Sequence, residues 1–438
     1  MSRGGIGGTL LILLLATSAV GYTLLDLGMG SQVFQGSAQS GGMGEVFQLT
    51  ESTPLSLTLN PSLLARSDKL NVYGSYRFMM AEENWALPVH DSFDALLGYE
   101  TYAHNRNTYH NGDLGFSTGA LPQAAGLAFA IGYVPAFDFN YDFQQEVRDG
   151  NSQAEPLDKV VADAFVESEG SIRSISFGGA GSYDERFFLG LGVDYLFGDY
   201  DVTVRLANVD ANKLPCWESE PGETEEEFSA SDLSGMRFRV GATYVVNTRV
   251  ELAATYTGSA ELDGKYTSSG GFGDFSSGVY SPWGDGEGKS FNLKYPASVG
   301  FGISYRPRNE LRTVVEADVR FTQWSEAENE ALEELILDDI YEWFIGVEHI
   351  FYNGRPLRFG FNYKPSPADT EEALASVTAG SGFDVYGLDL DFSLSIGWRK
   401  FREFSLFDDT VFCAGAREFS DMVEETLVGG QISLGKRF

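Results

Sequence analysis

Val428-Gly-Gly-Gln-Ile-Ser-Leu-Gly-Lys-Arg-Phe438 closes the chain. Counted back from the carboxyl end, Phe438, Leu434, Ile432 and Val428 fall on one face and Arg437, Ser433 and Gln431 on the other. That is the period of a strand with one apolar side. A soluble β domain could also end this way, so the reading depends on what precedes it.

Working outward, the same alternation recurs along the chain. Leu70, Val72, Gly74, Tyr76, Phe78 and Met80 oppose Asn71, Ser75 and Arg77. Further segments lie near residues 113–120, 125–134, 172–181, 187–197, 236–246, 250–256, 299–305, 315–321, 345–347, 357–363, 388–398 and 402–407. With the final strand the count is fourteen. The connections alternate between short and long. Short ones are Leu121–Ala124, Ser182–Arg186, Asn247–Arg249, Pro307–Leu311, Asn353–Pro356 and Lys400–Phe401. Long ones include Ala81–Gly112, Pro135–Ser171 and Pro365–Phe383. A sandwich or propeller gives no reason for every long loop to sit at one end, whereas a transmembrane barrel has tight periplasmic turns and longer outer loops. Arg186, Arg249, Arg306, Arg308 and Arg355 gather at the short turns, and acidic runs such as Glu218–Glu227 lie in the long loops. The face opposite the apolar one carries both signs of charge, as a hydrated or protein-filled lumen requires.

Composition agrees. Aromatic residues make up 14% of the 438 residues and Gly contributes 51, a bias toward strands, turns and interfacial girdles. Residues 1–21 place Arg3 before the apolar run Leu10–Ala16 and small residues through Gly21, the pattern of a secretory signal peptide. No later stretch approaches the roughly twenty apolar residues of a transmembrane helix, so any crossing is by strands. A formal net charge of -33 argues against nucleic acid as a partner. Cys216 and Cys413 both fall in long loops of a chain that leaves the cytoplasm, so a disulfide between them is one of two open readings. The four histidines form no metal-like pairing and no recognisable nucleophile–base arrangement, so neither an enzyme nor a metal or cofactor site is expected.

The expected fold is all-β: a 14-stranded antiparallel transmembrane β-barrel over 69–438 with an N-terminal hatch segment, 22–68, in the lumen. A fourteen-stranded barrel has an interior to fill, and the Gly- and Ser-rich 22–68 is the spare material of suitable size.

The terminal strand, with Ile432, Leu434 and Phe438, resembles the assembly signal of bacterial outer-membrane barrels, with Lys436 where that signal usually has an aromatic or apolar residue. The resemblance implies the barrel assembly machinery and outer-membrane lipid as partners. Four further stretches are similar to the FadL/TodX family of outer-membrane transport proteins for long-chain fatty acids and other hydrophobic compounds. They are Ser40-Gly41-Gly42-Met43-Gly44 followed by Asn60-Pro61-Ser62, Tyr295-Pro296-Ala297-Ser298-Val299-Gly300-Phe301-Gly302, Asp318-Val319-Arg320-Phe321-Thr322-Gln323-Trp324-Ser325, and Leu357-Arg358-Phe359-Gly360-Phe361-Asn362-Tyr363 running into Ser366-Pro367. Ser62 stands where the family has Ala. The resemblance implies a hydrophobic small-molecule ligand, capture by apolar residues of the outer loops, and sideways release where an early strand is kinked. Trp217, Phe228, Phe272, Phe275, Tyr280, Trp283 and Phe291 are the loop aromatics available for capture, and Gly126, Gly132 and Pro135 mark the strand for release. The alternative is a non-transporting relative that serves as a scaffold or shuttle in protein secretion, which needs no apolar path.

Overall fold

The computed structural model describes residues 22–438 except 52, 92, 94, 122–125, 149–159, 209–223, 271–285, 309–311, 331–335 and 404–419. Fourteen antiparallel strands close on themselves: β1 Asn71–His90, β2 Leu96–Ser117, β3 Ala128–Asp138 continued by Tyr141–Arg148, β4 Val160–Tyr183, β5 Phe187–Ala207, β6 Thr224–Asn247 and β7 Val250–Thr257 continued by Ala260–Gly270. They continue with β8 Gly286–Tyr295 and Ser298–Tyr305, β9 Arg312–Thr322 and Glu328–Asn329, β10 Ile340–Ile350, β11 Pro356–Pro365, β12 Ala373–Val385, β13 Leu388–Glu403 and β14 Asp421–Arg437. The barrel closes where β14 pairs with β1, from Met422 opposite Ala86 to Arg437 opposite Asn71. Ile432, Leu434 and Phe438 face outward and are exposed, and the Phe438 N–H donates to Leu70 O at 2.9 Å. The Lys436 ammonium lies over the Phe438 ring, 5.1 Å from its centroid, a cation–π contact.

The outward side chains form a band of Leu, Ile, Val, Phe, Tyr and Trp, including Phe129, Leu191, Phe238, Phe301, Trp343, Phe359 and Leu394, all exposed. Such a belt is stable only against hydrocarbon. Beyond it the strands continue, but outward positions turn polar: Arg106 pairs with Glu82 and His104 with Asn84. This is why Ala81–Gly112, read as a loop, is mostly the upper part of the β1–β2 hairpin, which keeps its pairing to His90 and Leu96.

Two boundaries differ from the sequence reading. Residues expected as the loop Pro365–Phe383 contain β12, whose alternation is muted by Ala375, Ala379 and Ser381 on its outer side. The expected turn Lys400–Phe401 lies inside β13, and of the strand expected at 402–407 Arg402 and Glu403 continue β13, while 404–407 lie outside the described residues. The actual turn is Tyr386–Gly387, with φ of 56° and 76°, the left-handed pair that a two-residue hairpin requires. The total of fourteen stands because the missed strand and the surplus one cancel.

The amino-terminal residues lie inside the barrel. Helix α1 (Tyr22–Met29), the short turns α2 (Ala38–Gly41) and α3 (Ser56–Leu59), and a 3-10 turn at Pro61–Arg66 lead to β1. Most residues from Gly36 to Ala65 are buried.

Candidate functional site

The interior divides into a polar seat and an apolar chamber. In the seat, Asn60 caps the turn at Pro61: its Oδ1 accepts from the Ser62 N–H at 3.2 Å and from the Ser62 hydroxyl at 2.7 Å. Its amide donates to Gln48 O at 2.7 Å and to the Thr243 hydroxyl on β6 at 3.2 Å. Ser62 also bonds Thr243 at 2.8 Å, a contact that an Ala there would not make. Pro61 and Asn60 lie so close to Gly190 and Gly241 that a Cβ on either glycine would overlap them.

Gly42, Met43 and Gly44 press in the same way on Gly380, Gly346 and Gly360 of three neighbouring strands. Gly41 faces Ser393 and Gln431, and the Gly44 N–H donates to Thr378 at 2.8 Å. Beside this band, Asp318 Oδ2 accepts from the N–H groups of Phe47 (2.7 Å) and Gln48 (3.1 Å), while Glu316 accepts from Leu49 (2.8 Å) and from the Thr50 hydroxyl. These carboxylates supply the acceptors that an irregular buried segment cannot find within itself.

Toward the long-loop end the inward residues change from polar to apolar. In β5 the outward set Phe187 to Phe197 gives way, at a register shift between Gly198 and Tyr200, to an inward set of Tyr200, Val202, Val204 and Leu206. Phe137 stacks on Tyr295 with ring centroids 3.7 Å apart, and Phe139 on Tyr200 at 4.0 Å. Phe228 packs against Tyr200, Tyr266 and Phe291. Phe228 and Phe291, expected in outer loops, therefore lie on β6 and β8 and face inward, fully buried. Trp217, Phe272, Phe275, Tyr280, Trp283, Cys216 and Cys413 lie outside the described residues. The phase change in β5 was the signal available in sequence for this chamber.

Helix α1 enters the chamber. Leu25, Leu27 and Met29 are buried in it, the Tyr295 hydroxyl donates to Met29 O at 2.7 Å, and the Asn329 amide donates to Gly28 O at 2.8 Å. Asp26 lies 4.0 Å from Arg399, which also pairs with Glu425. Burial pushes the Asp26 carboxyl up to about 6, opposed by Arg399 and a hydrogen bond from Ser31 and reinforced by Glu425 and Asp138. Between α1 and the seat lies a cavity of about 330 Å³, lined on one side by Leu25, Phe137 and Tyr295 and on the other by Arg239, Arg320 and Glu342.

That cavity reaches a defect in the wall. The β2–β3 ladder comprises only Leu114–Ser117 against Ala130–Tyr133. Above it β3 bulges between Pro135 and Phe137 and breaks before Tyr141. Across the break the N–H groups of Asp142 and Gln144 are met by the side chains of Asn107 (2.9 Å) and Asn105 (3.0 Å) in place of backbone carbonyls. The inner face of the bulge is held by the amino-terminal segment: Val33 donates to Ala136 O at 3.0 Å and Gln35 to Pro135 O at 3.0 Å. Tyr109, Asn111, Asp138 and Asn140, which flank the defect, also line the cavity. Of the residues expected at a release point, Pro135 sits at the bulge. Gly132 pairs normally with Gly115 and Ser176, and Gly126, with a φ of 77°, belongs to the turn below.

The fold is similar to that of several solved structures. A Pseudomonas aeruginosa FadL homologue matches with a TM-score of 0.66 and 14% identity, over 93% of this chain and 100% of that one. The Pseudomonas putida toluene transporter TodX gives 0.59 and 15%, over 93% and 99%. The Ralstonia pickettii toluene transporter TbuX gives 0.56 and 18%, over 92% and 99%. At these identities the likeness is one of fold. No match is found among curated proteins. The BamG family model matches residues 18–390, most of the chain, and the chain belongs to the BamG family.

Proposed function

We propose that this chain is an outer-membrane channel that takes up hydrophobic compounds, long-chain fatty acids among them, and releases them sideways. In this reading residues 22–66 form the hatch, the chamber around Leu25, Phe137 and Tyr295 receives the ligand, and the β2–β3 defect is the exit. The observation that carries it is the continuity of the internal cavity with that defect. An apolar solute gains by leaving through a wall opening into hydrocarbon, whereas a water-filled route to the periplasm offers no such gain. The solved toluene transporters of the same fold support the direction of the reading. Because Val33 and Gln35 bond the bulge and α1 fills the chamber, a ligand that displaces α1 also strains the defect.

The test is saturable uptake of a labelled fatty acid, or of toluene, into liposomes holding the full chain, with and without a disulfide engineered between Asn107→Cys and Asp142→Cys. Uptake that the oxidised cross-link stops, and reduction restores, supports lateral release.

A second reading is a non-transporting scaffold in barrel assembly or secretion. The family name BamG suggests a link to the barrel assembly machinery, and the many bonds from the wall to residues 44–62 suit a segment that stays in place. Absence of both ligand binding and uptake, together with lowered levels of other outer-membrane barrels on depletion, would favour it.

A further inference from the structure

A groove of about 540 Å³ runs along the outside of the barrel, away from the lumen. Its floor is β9, whose outward Ala317 and Val319 are only half-exposed. Its walls are larger side chains on the neighbouring strands: Phe301 (57% exposed) and Ile303 on β8, Trp343 (53%) and Ile345 on β10. The recess arises because small residues on one strand lie between bulky ones on two. On β9 it is lined from Ala317 to Val319, within the apolar belt.

The groove's end at the short turns, periplasmic in barrels of this kind, is basic and polar. Arg306 and Arg308 lie in the β8–β9 turn, Arg312 begins β9, and Arg249 lies in the β6–β7 turn. Arg306 pairs with Glu251 at 2.6 Å. Arg308 and Arg312 are exposed, and among the described residues neither guanidinium meets a carboxylate. In a chain of net charge -33, two exposed arginines at this rim give it a local positive charge that suits an anionic partner. Between the groove and the rim, the Thr313 hydroxyl and His349 Nδ1 are bonded at 2.7 Å.

We propose that this face binds an anionic glycerophospholipid of the periplasmic leaflet, with one acyl chain in the β8–β10 groove and its phosphate on Arg308 and Arg312. The groove supplies fit for a chain already in the surrounding hydrocarbon, so its contribution is packing rather than transfer from water. The arginines supply the preference for negative charge.

The test is native mass spectrometry of the delipidated full chain in neutral detergent, with phosphatidylglycerol or phosphatidylcholine of identical acyl chains added. Phosphatidylglycerol adducts are expected to exceed phosphatidylcholine adducts by about thirty-fold, two basic residues being involved. Arg308→Gln combined with Arg312→Gln is expected to bring the two lipids level. Ala317→Phe, which fills the floor, is expected to reduce retention of both. Heat-modifiable mobility on gels reports folding, and Val319→Phe replaces Ala317→Phe if the latter does not fold. Equal retention of the two lipids by the unaltered chain, or unchanged phosphatidylglycerol retention when the floor is filled, overturns the proposal.

Discussion

The side-chain amide of Asn60 occupies the space that a Cβ on Gly241 would need. A residue of the buried segment and a residue of β6 are thus fitted to one another, 181 positions apart in sequence. Gly241→Val is expected to expel Asn60 and break its bonds to Gln48 and Thr243. Asn60→Ala keeps the space but takes their side-chain partner from the buried Gln48 carbonyl and Ser62 N–H, while Thr243 keeps its bond to Ser62, at a cost of about 1–3 kcal/mol. Both variants should unfold at lower temperature on heat-modifiable gels. If residues 22–66 block the lumen, Gly241→Val should also raise single-channel conductance in planar bilayers. Unchanged conductance in a demonstrably displaced segment would argue against that block.

Asp318 carries the Phe47 and Gln48 N–H groups without a cation beside it. Asp318→Asn keeps an acceptor in place, so its effect should be mild. Asp318→Ala leaves the buried Phe47 N–H unmet, while the Gln48 N–H keeps Glu316 at 3.2 Å, and should loosen residues 44–50 by about 1–3 kcal/mol. Limited proteolysis is the readout: the Ala variant should be cleaved in this segment well before the Asn variant. Equal cleavage of the two would mean that the carboxylate oxygens do not hold the segment.

The wall above the β2–β3 ladder depends on side chains rather than on backbone pairing. Asn105→Ala with Asn107→Ala removes the acceptors for Gln144 and Asp142. Hydrogen exchange at those two amides should accelerate by about ten-fold or more, corresponding to loss of roughly 1.4 kcal/mol of local protection. The amides of β1 opposite β14 should keep their rates, because that ladder is continuous. A uniform acceleration would instead report global destabilisation.

The strands within the membrane were legible because lipid on one side and a polar interior on the other enforce a clean period of two. Leu388 to Trp398 and Phe187 to Phe197 show it without interruption. Outside the membrane that contrast is lost, so the upper halves of β1 and β2 read as loop, and β12 was hidden by Ala375 and Ala379. The Asn60-Pro61-Ser62 motif was legible as a signature, but its physical meaning was not. It depends on Gly190, Gly241 and Thr243, which are distant in sequence and come together only once the barrel closes. The same holds for Glu316 and Asp318, which read as ordinary lumen-facing charges until Phe47, Gln48 and Leu49 are set against them. Phe228 and Phe291 read as loop because they share the sequence parity of the outward sets Met236–Val246 and Val299–Tyr305, and they turn inward only through the register shift in β6 opposite Gly198 and Tyr200 and the break in β8 between Tyr295 and Ser298. That inversion is itself the mark of a chamber filled from within.

Asp26 gives the packing of α1 a dependence on pH. Its carboxyl titrates near 6 in the folded chain against 3.8 as an ordinary aspartate, because burial in the chamber outweighs the attraction of Arg399. The folded state thus binds the proton more tightly than the unfolded one. By linkage, the stabilisation is complete below pH 3.8 and is lost as the pH rises through 6. Above that the charged side chain weakens the seating of α1 beside Glu425 and Asp138. Protease cleavage within 22–35 should therefore increase between pH 5 and pH 8, with a midpoint near 6. Asp26→Asn, which cannot ionise but keeps nearly the same shape, should resist cleavage at both pH values and show a flat profile. Arg399→Gln should move the midpoint upward, since it removes the main force holding the carboxyl down. A profile in Asp26→Asn that matches the unaltered chain would assign the pH dependence to another group.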